Sequence, residues 1–343
     1  MIMRCMGQSM RAWSVQDTGP IAEHPLILEE RPRPVAQPGE VRVQVLTCGV
    51  CRTDLHLAEG DVPPRHHGIT PGHEIVGVVD QIGSTASRFR LGQRIGIPWL
   101  RSTCGHCQFC RRGSENLCLS PAFTGWDTHG GFAEFAAVDE RFAYALPHEF
   151  NDVTAAPLLC AGIIGYRALR RAQLPSGGRL GIYGFGASAH LAAQVAMAEG
   201  ATVHVVTRSE EAQRLALELG VASASAATDS PPEPLDSAIL FAPVGDLVPI
   251  ALAALDRGGT LAVAGIHLTD IPRLNYQSHL FQERTIRSVT ANTRSDGREF
   301  IAIAARIGLS VHTTTYPLSQ ANQALVDLAG DRVNGAAVLR VSD

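Results

Sequence analysis

The sequence predicts an α/β chain of two domains, one β-rich and one built on a doubly wound parallel sheet. Three observations carry this expectation. Apolar residues alternate through the first 150 or so positions, as in half-buried strands. After about Asn151 the texture changes to alanine- and leucine-rich runs separated by short apolar runs, the signature of βαβ units. Between one such strand and helix lies a glycine-rich turn, Gly184-Phe-Gly186.

Taken in order, Val41, Val43 and Val45 set a period of two over Glu40 to Val45, and this strand runs into Cys51. Ile75 to Gly83, Arg94 to Trp99 and Gly131 to Val138 read as further strands, punctuated by Gly, Pro and Asp. The β-rich part is expected to be barrel-like. In the second part, strands are expected at Leu180 to Tyr183, Val203 to Val206, Ala238 to Phe241, Leu261 to Ala264 and Ile286 to Val289. Helices are expected at Ala187 to Glu199, Glu210 to Leu219 and Val248 to Leu255. The tail alternates helix and strand: Arg298 to Ile307, Val311 to Tyr316, Gln320 to Ala329 and Ala337 to Val341. Its β pattern resembles the first domain, so the first domain is assigned residues 1–158 and 293–343, with 159–292 inserted.

Composition narrows the class. At 343 residues the chain can build two cores, and 45% apolar with 18% charged residues describes a globular protein. A net charge of −4 argues against a nucleic-acid partner, which needs a basic surface. The richest apolar run, Leu158 to Gly165, is too short to span a bilayer, so no membrane partner is expected. Residues Met1 to Gly7 lack the apolar core of a signal peptide, which predicts a cytoplasmic protein.

Four of the eight cysteines crowd into Cys104, Cys107, Cys110 and Cys118. In a reducing compartment that spacing means metal, and four thiolates with no vacancy make a closed, structural zinc site. No basic recognition helix follows it, which rejects a DNA-binding finger. A second set, Cys51, His73 and Cys160, supplies two thiolates and one imidazole and leaves a fourth position open, as a catalytic zinc requires. Two zinc ions per chain are therefore expected. Cys48 forms a CxxC with Cys51, which a redox pair would use, but its place near a strand end favours a buried structural thiol.

Gly184-Phe-Gly186 is followed by Ala187, Ser188 and Ala189, which open a helix. In that context Gly184 permits the tight turn and Gly186 lets the backbone approach a pyrophosphate at the positive helix end. The next strand ends in Thr207-Arg208-Ser209, with a cation where an NAD site normally places an acid. A 2′-phosphate is better accommodated, so NADP(H) is favoured over NAD(H).

These stretches, CRTDLH at Cys51, GHEIVGVVDQIG at Gly72, the four-cysteine loop, LLCAG at Leu158 and GFGASAH at Gly184, resemble the zinc-dependent alcohol dehydrogenases of the medium-chain dehydrogenase/reductase family, in family order. The resemblance covers essentially the whole chain and implies a GroES-like catalytic domain, a Rossmann domain and a homodimer or homotetramer. It further implies that Glu74 is an occasional or outer zinc ligand and that Asp54 hydrogen-bonds the outer nitrogen of His73. Thr53 would take the proton of the alcohol and pass it towards His56, and Arg52 would face the cofactor pyrophosphate. Trp99 and Trp126 are candidate walls of a pocket suited to primary, apolar or aromatic alcohols and aldehydes. Ala189, Ile164 and Ala336 depart from the common family residues. The alternatives are an NAD-dependent polyol (sorbitol-type) dehydrogenase and a non-catalytic binding relative of the same fold.

Overall fold

The computed structural model describes residues 9–226 and 229–341. The N-terminal heptapeptide behind the cytoplasmic expectation lies outside them. By contact the chain divides into two compact units. One comprises residues 1–160, 293–298 and 312–343, the other 161–292 and 299–311.

The first unit is organised around strand Glu40–Val50. In a seven-stranded sheet it pairs antiparallel with Ala336–Arg340 on one side and Glu74–Ile82 on the other, and Phe135–Asp139 pairs with it as well. The sequence predicts only its first half, because period-two alternation stops at Thr47-Cys48-Gly49-Val50, where consecutive residues are buried on both faces. Val41, Val43, Val45, Ile75, Ile95, Ile97, Phe132 and Leu339 form a core with near-zero exposure. An antiparallel hairpin, Ser9–Val15 with Leu26–Pro32, is absent from the sequence reading. Its second strand buries only Leu26 fully and carries Glu29, Glu30 and Arg31, which mask the alternation.

The second unit is a six-stranded parallel sheet in the spatial order Ser223–Ser225, Thr202–Val206, Arg179–Tyr183, Leu235–Leu240, Leu255–Val263, Thr285–Ser288. The order reverses beside Arg179–Tyr183, the switch point at which such sheets bind nucleotides. Leu255–Val263 starts earlier than predicted, because Gly258-Gly259 within it reads as a break. Helix Ala161–Ala172, unassigned from sequence, lies close to helix Ala187–Ala198. The contact grouping departs from the sequence assignment at two places: residues 159–160, placed by sequence with the inserted domain, group with the first unit, and residues 299–311, placed with the first domain, group with the second. Phe300 is fully buried in the crevice left by Gly162, and the Tyr166 hydroxyl bonds Glu299 at 3.0 Å. Among the described residues no single helix is long and apolar enough to cross a membrane.

Candidate active site

Strand Glu40–Val50 ends at Cys51, the N-cap of helix Arg52–Glu59. The Cys51 sulfur accepts the Thr53 N–H at 3.3 Å, and the Asp54 carboxylate accepts the Cys51 N–H at 3.0 Å. A sulfur anion is favoured here because the Thr53 N–H and the positive end of the helix dipole face it. A hydrogen bond from Cys160, reinforced by His73 and Thr53, holds the Cys51 thiol well below its ordinary range, while the Cys160 thiol is pushed well above its own.

The second strand of the site begins at Glu74. Just before it, His73 is almost fully buried, with Nε2 3.1 Å from Cys51 Sγ and Nδ1 3.2 Å from Asp54 Oδ1. Burial lowers the His73 pKa, but Cys51 and Asp54 outweigh it and raise it well above the usual value. Asp54 Oδ1 also accepts the Gly72 N–H at 2.8 Å, so one carboxylate joins the helix start to the His73 turn. Burial raises the Asp54 carboxyl above its usual range.

One ligand atom each from Cys51, His73, Glu74 and Cys160 lies within 4.8 Å of the others. The donor set is sulfur, nitrogen and sulfur with a carboxylate alongside, and the sulfur–nitrogen part is the set of which alcohol dehydrogenase is the type example. Two thiols, Glu74 and Asp54 converge on one imidazole; the Cys160 thiol is pushed up first by its hydrogen bond to Cys51 and by burial, with the charges of Cys51, Glu74 and Asp54 adding to the rise. A divalent cation offsets those charges, so the residues fit zinc.

Cys48 is not in the group. Burial pushes its thiol well up, and its sulfur bonds Gly49 O at 3.5 Å, the environment of an inert structural thiol. Gly49 itself was missed by the sequence reading: a Cβ there would stand 1.8 Å from the Glu74 carboxylate. A glycine inside a strand is the signal that could have found it.

Thr53 is buried on the helix, and His56 lies one turn along on the same face. His56 Nδ1 is 2.8 Å from Asp61 Oδ2, a partner sequence reasoning did not identify. Arg52 reaches Asp331, its Nη2 2.5 Å from Oδ1, and also bonds Leu328 O. The Trp99 ring stands 4.8 Å from the His73 ring, stacks on Phe123 at 4.8 Å and lies 6.0 Å from Trp126. Both predicted tryptophans thus come together beside the cluster, and Phe123, unforeseen, packs against both, 4.8 Å from Trp99 and 5.9 Å from Trp126.

The four remaining metal-type cysteines also converge. Cys104, Cys107, Cys110 and Cys118 sulfurs lie within 4.8 Å of one another, with neighbour spacings of 4.0, 3.6 and 3.5 Å. Four thiolates held at about 2.3 Å around one zinc in a tetrahedron stand roughly 3.8 Å apart, so the spacing fits. Backbone N–H groups of Cys110 and Leu119 lower the Cys107 thiol to about 6. Buried Glu115, between Cys110 and Cys118, receives a bidentate hydrogen bond from Arg294 at 2.8 to 3.1 Å, which fixes the loop to the rest of its unit.

In the parallel-sheet unit, strand Arg179–Tyr183 ends at Gly184, whose φ of +87° and contact with Ala242 exclude a side chain. Gly186 caps helix Ala187–Ala198, and a Cβ added to it meets nothing within 4 Å, leaving the backbone open to a ligand. Ala187 and Ser188 form the first turn, and Ala189 packs inward. Thr207 is buried at the end of Thr202–Val206, Arg208 is exposed, and Ser209 caps helix Glu210–Glu218 by accepting the Ala212 N–H at 3.2 Å. These groups collect at the carboxyl ends of the strands, as a dinucleotide site requires.

A β-rich unit with a thiolate–imidazole cluster, joined to a nucleotide-type sheet of this order, defines the medium-chain dehydrogenase/reductase class. Family models match in chain order: the alcohol dehydrogenase GroES-like domain over residues 37–148 and the zinc-binding dehydrogenase over 189–306. A probable alcohol dehydrogenase, AdhA, of Mycobacterium tuberculosis is 58% identical over 97% of this chain and 98% of its own. An alcohol dehydrogenase of Geobacillus stearothermophilus is 33% identical over 93% of this chain and 96% of its own. The solved cinnamyl alcohol dehydrogenase of Sorghum bicolor superimposes with a TM-score of 0.87 at 26% identity, over 97% of this chain and 98% of that one. The chain belongs to the zinc-dependent alcohol dehydrogenases of this family. It is an oxidoreductase acting on alcohols, and its family binds zinc and a nucleotide cofactor.

Proposed function

We propose that the enzyme transfers hydride between NADP(H), in preference to NAD(H), and primary alcohols and aldehydes with an apolar or aromatic body. The observation that carries the substrate class is the Trp99–Phe123–Trp126 stack, whose Trp99 ring stands 4.8 Å from the His73 ring. Flat aromatic walls favour a flat substrate over a branched one. The likeness to a cinnamyl alcohol dehydrogenase supports the same reading. NADP(H) is supported by Arg208, an exposed cation after the second nucleotide-domain strand, flanked by Thr207 and Ser209.

In this reading Cys51, His73 and Cys160 hold a catalytic zinc with Glu74 beside it, and Cys104, Cys107, Cys110 and Cys118 hold a structural one, two ions per chain. When bound, zinc supplies Lewis-acid polarisation of a substrate oxygen, and the nicotinamide donates or accepts hydride. Asp54 orients His73 through Nδ1 and so turns Nε2 towards the metal position. The Thr53 hydroxyl takes the proton of the substrate alcohol, and His56, oriented through Nδ1 by Asp61, moves it on towards solvent. Gly186, Ala187 and Ser188 would cradle the pyrophosphate with backbone N–H groups, while Gly184, whose own N–H bonds Val206 O at 2.8 Å, sets the turn that presents them. Arg52 is a further cofactor-binding residue in this reading; in the structure its guanidinium bonds Asp331. Gly335 is followed by Ala336, so no second cation joins Arg52 from that position.

Thr285–Ser288 is the edge strand of the parallel sheet, and Tyr276 and Phe281, which precede it in the chain and pack edge to face at 5.7 Å, are 61% and 55% exposed. The open strand edge and these two exposed rings support pairing of two copies into a homodimer or homotetramer, and the enzyme is read as cytoplasmic. A panel comparing benzyl alcohol with a branched secondary alcohol and sorbitol, each with NADP and NAD, tests the proposal. Equal rates on all three substrates would refute the pocket reading, and a tenfold preference for NAD would refute the cofactor reading.

A further inference from the structure

A cavity of about 580 Å³ opens in the β-rich unit and shares no residue with the Cys51 cluster. Its volume falls within the range of roughly 300–1,000 Å³ typical of small-molecule sites. Arg101 lines it with a side chain only 13% exposed, although a guanidinium at that depth needs compensation for lost water. Arg101 donates to the Ala137 carbonyl and, at 3.0 Å, to Glu40. A guanidinium carries about five N–H donors, so these bonds leave part of the fork available. Burial lowers the Arg101 pKa more than Glu40 and Asp139 restore it.

Much of the remaining lining is apolar, with Gln37, Thr128 and His129 among it. Phe135 and Met10 form buried lining, and Val35, 60% exposed, stands at the mouth. The guanidinium of Arg33 lies 4.1 Å above the Phe135 ring, and Arg31 lines the same cavity. A cation whose Nη atoms each hold one partner and keep a second N–H, beside an aromatic floor, matches a molecule with a carboxylate at one end and an apolar body at the other. Glu40 at the same guanidinium disfavours a doubly charged phosphate, whose second charge it would repel.

We propose that this cavity is a second ligand site, taking a small organic monocarboxylate whose anionic end pairs with Arg101 and whose apolar or aromatic body lies along Phe135 and Val35. The site does not depend on the choice of nicotinamide or alcohol.

The test is calorimetric titration of the full chain with benzoate, and with benzamide as its neutral counterpart, in the native protein and in Arg101→Gln and Val35→Trp. Arg101→Gln removes the fork, and Val35→Trp blocks the mouth from an exposed position that leaves the core intact. The expected result is one saturable benzoate event, weakened at least tenfold in both variants, with benzyl alcohol oxidation within twofold of the native rate. Benzamide should bind at least tenfold more weakly than benzoate. Benzoate affinity unchanged in Val35→Trp would place binding elsewhere, the Cys51 cluster included, and overturn the proposal. So would equal binding of benzamide or the lack of a saturable event, and if Arg101→Gln fails to fold, Val35→Trp decides alone.

Discussion

Asp54 Oδ1 stands 3.2 Å from His73 Nδ1, and both side chains are nearly inaccessible to water. The same oxygen receives the Gly72 N–H, so a single carboxylate sets where the His73 ring sits and which nitrogen it presents. Asp54→Asn keeps the size and one acceptor but loses the charge. Zinc affinity at the catalytic position should fall about 10–100-fold, read by competition with a chelator. Unchanged affinity would show that the His73 orientation is fixed by packing alone.

Cys107→Ser addresses the second sulfur cluster. The variant should lose one zinc per chain and melt at least about 5 °C lower, because the loop at residues 104–118 has little core of its own. Its alcohol oxidation at low temperature should persist. Native zinc content in this variant would contradict a four-thiolate site.

Arg208→Asp places an acid at the end of strand Thr202–Val206, where a 2′-hydroxyl would be recognised. The kcat/KM with NADP should drop at least tenfold while that with NAD holds or rises. Equal loss with both nucleotides would assign Arg208 a structural role.

The network at the amino end of the parallel sheet makes a pH prediction. A hydrogen bond from Arg179 holds Asp236 below the usual carboxylate range. Its stabilising contribution is therefore present above the unfolded value of about 3.9 and is lost as pH falls through the lower folded value. In urea unfolding, Arg179→Met should be less stable than the native protein near neutrality, and the gap should close as pH drops below about 4. A gap independent of pH would remove Asp236 from the account.

The metal-type residues were legible in the sequence because their chemistry depends on residue type and short spacing: Cys51 with His73, and the four cysteines from Cys104 to Cys118. The parallel sheet was legible for a similar reason, since a strand buried on both faces must be a short continuous apolar run, as at Leu180 to Tyr183. What remained hidden depends on residues distant in the chain. Gly49 matters because Glu74 crosses it, Phe123 because it stacks on Trp99, and Glu115 because Arg294 reaches it from 179 positions away. Residues 299–311 joined the nucleotide-type unit through Phe300, whose partner Gly162 no local pattern reveals. The hairpin strand Leu26–Pro32 went unseen because its charged residues obscure the one buried position that anchors it.

The central claim is that Cys51, with His73 and Cys160, holds a zinc on which turnover depends. Zinc analysis of Cys51→Ser by atomic absorption, with alcohol oxidation measured on the same sample, tests it most directly. The account predicts that zinc falls from about two per chain to about one and that activity drops at least about 1,000-fold, while the fold by circular dichroism is retained. Full activity, or an unchanged zinc content, in that variant would contradict it.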